Sequence, residues 1–353
     1  MADVVFVLGA GCSCDAGAPL MGGFLDRARD LLDAGRVEEW REDFTRVRDA
    51  VGRLGAVHSK SQLDVVNLES VFNAFEMATL LQKFPGLSTE QIDLLIPSMV
   101  TLIVRTLEET MRFPIKNGSI SPPATYESFA KSVKWLTSER QPKKTVAVLT
   151  FNYDIGLDVA LRHSGIRFIY GLHNEPTADV KLLKLHGSLN WFGKNENLIY
   201  LDVGKMIGPL NAFKEDLPKQ TALSVSRAHP DLLALGLVGD LPFIVPPAMS
   251  KGEHQRKILP VWKQAALELG EARHIFICGY SLPSTDEFFK TLFALGTVGD
   301  DSLLNVVALN PDKPSVERIG GLLGPGALQR FTPLYGVFES LPSLVNKYLK
   351  VPS

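Results

Sequence analysis

Cysteine is scarce in this chain, with Cys12, Cys14 and Cys278 the only three in 353 residues. Three thiols exclude a disulfide framework and a four-cysteine zinc site, and no CxxC pair exists. The histidines do not replace them: His58, His163, His173, His229, His254 and His274 show no metal-ligand spacing, so no metal and no zinc are expected. Long hydrophobic runs are also missing. The longest apolar window, Leu94 to Val104, is eleven residues with a proline inside, far below the length of a membrane span. Basic excess is absent too, because 37 Lys and Arg against 39 Asp and Glu leave a formal charge of -2. A balance of this kind gives no general attraction to polyanions, and nucleic acid is not an expected direct partner. The N-terminal stretch MADVVFVLGAG has no basic leader region, and with so few cysteines a soluble protein of the reducing cytoplasm is the expectation.

What is present fits an ordinary folded protein, 45% hydrophobic and 22% charged. Val4 to Leu8 is a continuous apolar, β-branched run ended by glycine, which predicts a buried strand. From Phe24 to about Glu139 the apolar spacing is helical: Leu68, Val71, Phe72 and Phe75 repeat at i, i+3, i+4, i+7, as do Ile92, Leu95, Ile96 and Met99. Beyond it, short apolar runs ending in small or polar residues predict parallel strands: TVAVLTFNYD, RFIYG, LLKLHGS, FIVPP, HIFICGYS and NVVALNPD. The predicted fold is therefore α/β, a doubly wound Rossmann-like parallel sheet with a helical insertion subdomain. Residues 1–23 and 140–353 form the sheet domain, 24–139 the insertion, and the loop-rich 190–260 a second insertion or lid.

Such a sheet carries its chemistry in the loops past the strands' C-terminal ends, where the polar residues of this sequence gather. The first loop, FVLGAGCSCDAGAPL, holds Gly9, Gly11 and Gly17, which permit positive φ and close backbone approach to a ligand such as a pyrophosphate. It is not the dehydrogenase fingerprint, since Cys14 stands at the third glycine and Asp30 and Asp33 fall in a helical pattern. A plain strand-to-helix turn is the alternative. In TFNYD, Asn152 and Asp154 should emerge at the sheet edge, as helix caps or as site residues. In KLHGS, His186 lies just past another strand, and the Asn152 and His186 pair offers an amide that orients a hydroxyl beside an imidazole base. Gly279, Ser281 and Asp286 in CGYSLPSTD, and Asn310 and Asp312 in ALNPD, extend the edge. For Asp286 a ligand contact and a helix cap are equally good readings.

Taken in order, GAGCSCDAGAP, TFNYD, KLHGS, GYSLPSTD and LNPD resemble the sirtuin-like family (silent information regulator two-like), closest to its bacterial NAD-hydrolysing branch used in anti-phage defence. The resemblance implies that Gly9, Ala10, Gly11, Ser13 and Asp15 surround the NAD phosphates and ribose, with Gly17 and Pro19 continuing toward the nicotinamide end. It implies catalytic roles for Asn152, Asp154 and His186, and adenosine-side contacts from Gly279, Tyr280, Ser281, Asn310 and Asp312. Family deacylases carry a zinc module and an Asp-Phe-Arg after the loop proline, whereas Leu20, Met21 and Gly22 follow Pro19 here. The implied activity is thus cleavage of NAD, as substrate, to nicotinamide and ADP-ribose in abortive infection. A non-catalytic NAD or ADP-ribose sensor and an NAD-dependent deacylase are the alternatives. By the same analogy a homo-oligomer, or a separate regulator such as a translocase-type ATPase or an Argonaute-like protein, is the expected partner.

Overall fold

A computed structural model describes residues 2–56, 63–139, 142–173, 175–194, 196–209, 218–245, 252–283, 286–297 and 303–350. Seven parallel strands form the central sheet: β1 (Val4–Leu8), then β4 (Val146–Thr150), β5 (Phe168–Ile169), β6 (Val180–Lys184), β10 (His274–Cys278), β11 (Asn305–Leu309) and β12 (Phe331–Leu334). The intervening numbers belong to short pairings: β2 (Phe113–Lys116), β3 (Ser119–Ile120) and β9 (Gln220–Thr221) make one small sheet, β7 (Trp191–Lys194) and β8 (Asn197–Tyr200) a hairpin. The central order is β12-β11-β10-β1-β4-β6-β5. Every residue of β1, β4 and β10 is buried, which is why these strands read as unbroken apolar runs.

The chain grows outward from β1 in both directions, so β1 and β10 are the neighbours between which the winding reverses. Helices α6 (Ala124–Lys134), α7 (Gly156–His163), α10 (Gly252–Gly270), α11 (Glu287–Gly296), α12 (Lys313–Leu322) and α14 (Leu341–Leu349) flank the sheet. Here α6 touches α7 and α14, while α10 touches α11. The fold is the expected doubly wound, Rossmann-like α/β arrangement. Between β1 and α6 lie α1 (Phe24–Asp33), α2 (Arg41–Ala56), α3 (Leu68–Leu81), α4 (Thr89–Asp93) and α5 (Leu95–Thr110), whose apolar faces enclose a second core. Leu68, Val71, Phe72 and Phe75 all face it, as their spacing predicts. The chain described between β7 and α10, with short helices α8 (Val225–Ala228) and α9 (Leu232–Leu235), packs on this second core through Val225, Leu232 and Ile244.

Two strand expectations need correcting. The run beginning at Phe243 is not a sheet strand. Within its described part Ile244 forms an isolated antiparallel bridge to Gly187, and the Val245 amide donates to the His186 carbonyl at 2.7 Å. The rest of FIVPP lies outside the described residues, as do Ser284 and Thr285 of GYSLPSTD and His58. The seventh strand, β12, carries Pro333 opposite Ala308 and was not expected. A proline lacks the amide a central ladder needs, but β12 is an edge strand, where that donor is dispensable.

Candidate functional site at the switch point

The loops after β1 and β10 meet directly. The Gly9 amide donates to the Cys278 carbonyl (3.0 Å) and the Gly11 amide to the Gly279 carbonyl (2.9 Å). A Cβ on Gly9 would sit 2.5 Å from Tyr280 Cα, one on Gly11 2.9 Å from Gly279 Cα, and one on Gly279, whose φ is +60°, 2.7 Å from the Cys12 nitrogen. The glycines are thus required for one loop to lie on the other. This revises the reading in which close approach to a ligand explains them. Gly17, at φ +93°, ends a 3-10 turn over Ala10–Ala16, and a Cβ there would lie 2.5 Å from the Thr110 carbonyl oxygen.

Beneath that turn lies a polar cluster whose donors can be assigned by proton counting. Asn152 Nδ2 donates to the Gly9 carbonyl and to Ser13 Oγ, both at 2.9 Å. Ser13 gives its single proton to Asp154 Oδ2 at 2.6 Å, so the Tyr126 hydroxyl, 2.8 Å away, donates to Ser13. Asp154 Oδ1 accepts the Gly156 amide at 2.8 Å and so opens α7. Burial pushes the Asp154 carboxyl above its ordinary value, against the pull of Lys184, Ser13 and the Gly156 amide. Buried Lys184 closes the cluster from below, donating to the Asp154 carbonyl at 2.6 Å and to buried Asp158 at 2.9 Å. One atom is left over: Asn152 Oδ1 is buried without a hydrogen-bond partner among the described residues.

Above the cluster opens a cavity of about 470 Å³, a size suited to a small molecule or cofactor. Asn152 lines it from the end of β4 and His186 from the end of β6. The His186 ring packs edge-on to Phe151, with centroids 5.2 Å apart, and Phe151 stacks flat on Tyr280 at 4.4 Å. Ala10, Gly11 and Asp15 reach the cavity from the first loop, and Gly279, Tyr280 and Ser281 from the loop after β10. Asn310 and Asp312 complete the far wall.

Other expected residues stand elsewhere or have structural employment. Ser13, Pro19 and Asp154 line a separate, small cavity of about 30 Å³ next to the main one. Gly9 and Gly17 line neither cavity among the described residues. Asp286 caps α11 through the Phe289 amide (3.1 Å) and accepts from the Tyr280 hydroxyl. Asp312 caps α12 through the Ser315 amide (3.0 Å), and Asn310 holds the Asp312 amide and the Tyr280 carbonyl. Burial pushes the Cys12 thiol well up, and burial with the nearby Asp15 carboxylate raises Cys14, so neither is an activated nucleophile.

Several lining residues were not foreseen, Arg318, Asn67 and Glu69 among them. Arg318, from α12, donates to the Ser281 carbonyl at 3.0 and 2.8 Å and is the one cation among the described lining residues. Asn67 and buried Glu69 come from the insertion, at the start of α3. Their spacing looked like an ordinary helix cap, and nothing local signals that this helix end faces a cleft 80 residues before the Asn152 strand. Among the described residues no cluster of three or more His, Cys, Asp or Glu forms a metal site, and no helix is long and apolar enough to cross a membrane.

Neither a family model nor a curated protein matches the chain. Among solved structures it is similar to that of Sir2Tm bound to a propionylated peptide, at 12% identity over 99% of this chain and 94% of that one, with a TM-score of 0.37.

Proposed function

We propose that this cleft binds NAD and hydrolyses its nicotinamide–ribose bond. The observation that carries the reading is the convergence of Asn152 and His186 on one cavity at the switch point, where the buried Asn152 Oδ1 has no hydrogen-bond partner among the described residues. Both Asn152 amide protons are committed to Gly9 and Ser13, which fixes the orientation of that acceptor before substrate arrives. A ribose hydroxyl or a water is a donor of suitable size.

In the reaction the C1′–N bond breaks and its electron pair goes to the nicotinamide nitrogen, neutralising the ring. The ribose takes up oxocarbenium character, as in other glycoside chemistry. Water attacks C1′, with Asn152 orienting a hydroxyl and His186 accepting the proton, and ADP-ribose and nicotinamide leave. Asp154 supports the site through Ser13 and α7. The ring stack of Phe151 and Tyr280 forms an apolar wall that limits water around the reacting bond.

Unchecked, such an activity would deplete the cell's own NAD. We therefore place the chain as an effector of anti-phage abortive infection, held in check by self-assembly or by a separate regulator such as a translocase-type ATPase or an Argonaute-like protein. Chromatography of NAD incubated with wild type and with Asn152→Ala and His186→Ala tests the chemistry. Free ADP-ribose supports hydrolysis, whereas acyl-ADP-ribose formed only with an acylated peptide would support deacylation instead.

A further inference from the structure

Resting on the NAD reading, we propose that Glu69, delivered by the helical insertion, is a third functional group of the site and recognises the positive charge of the nicotinamide ring. Three observations place it. Asn67 caps α3 by accepting the Glu69 amide at 2.8 Å, and α3 packs on the turn Met21–Gly23, so the first turn of this helix is fixed at the cleft wall. Glu69 is buried and lines the same cavity as Asn152 and His186.

The third observation is electrostatic and accords with that placement. The Glu69 carboxylate contributes to raising the hydroxyls of both Tyr153, after burial, and Tyr280, after burial and Asp286. Those two tyrosines bracket the histidine: the Tyr153 ring centroid is 6.3 Å from that of His186, and Tyr280 stacks on Phe151, which is itself 5.2 Å from His186. Glu69 is thus a buried carboxylate that shares one cavity with His186. Arg318 sits beside Ser281, Ser315 and Asp312, whose carboxylate is 3.8 Å away; of the carboxylates among the described lining residues Glu69 is the buried one, whereas Asp15 and Asp312 are exposed and Asp286 caps α11.

A dinucleotide with a cationic ring matches a cavity that presents a buried carboxylate. Its pyridinium charge, and the oxocarbenium charge that succeeds it, would lie beside Glu69 in a poorly solvated site where the attraction is strong. The insertion is then part of the active site as well as a covering layer.

NAD+ and NADH differ at the ring by this charge and share the same phosphates, which makes them the appropriate probes. Calorimetry is carried out in a His186→Ala background, which prevents turnover, with and without Glu69→Gln. The expected result is a preference for NAD+ over NADH of about tenfold that Glu69→Gln abolishes, with NADH affinity unchanged. Glu69→Asp, which retains the charge, should keep part of the preference and confirm that a folded variant is being read. An undiminished preference in folded Glu69→Gln would overturn the inference while leaving the NAD reading intact. Failure of the His186→Ala protein to bind either nucleotide would overturn both.

Discussion

Gly9 and Gly279 show why a residue's neighbours decide its meaning. Their missing side chains let the loops after β1 and β10 pack backbone on backbone, and an added methyl at Gly9 would lie well inside contact distance of Tyr280 Cα. Gly9→Ala should cost more than about 2 kcal/mol of stability, read by urea denaturation, because the obstacle is main chain and cannot swing away. Gly321→Ala, in α12 with nothing near its Cβ, should instead stabilise by about 0.5 kcal/mol. Asp154 makes a second prediction at this scale. Its folded pKa is raised, mainly by burial, so the folded state holds the proton more tightly than the unfolded one. On its account stability is full below the ordinary value of 3.8 and declines as pH rises from there through the folded value. Denaturation midpoints followed across that interval should fall more steeply for wild type than for Asp154→Asn, and identical slopes would show that the carboxyl does not titrate as described. Asn152 and His186 were legible as motif residues at strand ends. The employment of Asp154 was not, because it depends on Ser13 and Tyr126, brought together only by the fold.

Helix ends supply much of the cleft wall. Asn67, Asp286 and Asp312 each accept a backbone amide at the start of a helix while lining the cavity, so a helix cap can also form part of a cleft wall. Asn67→Ala should lose about 1 kcal/mol from the cap and also weaken NAD binding, because the first turn of α3 carries Glu69. Equal affinity for NAD in calorimetry would separate the cap from the site. The sheet strands were readable where both faces are buried, as in β1, β4 and β10, since burial on both faces demands an unbroken apolar run. Reading failed at the edges of that rule: β12 tolerates Pro333 because it lacks an outer neighbour, and the apolar run at Phe243 divides between the two cores, Ile244 facing the second and Phe243 and Val245 the sheet's, without joining the ladder. The insertion's helical period was equally clear at α3. Its contribution to the cleft was not, because periodicity reports which face is buried and not what the helix end touches.

At the scale of the whole molecule, reversal of the winding at β1 and β10 brings segments from residue 10 to residue 338 around one cavity. The chemistry proposed for that cavity depends on two side chains from adjacent strands, Asn152 beyond β4 and His186 beyond β6. Control by self-assembly predicts that specific activity rises with protein concentration, measured by nicotinamide release across a dilution series and compared with the mass distribution in solution. The most direct test of the central claim is chromatography of NAD incubated with the purified protein and its expected regulators, alongside Asn152→Ala and His186→Ala. The account predicts nicotinamide and ADP-ribose from wild type and a loss of at least about a hundredfold in rate in either variant. Folded variants that cleave NAD as fast as wild type would contradict it.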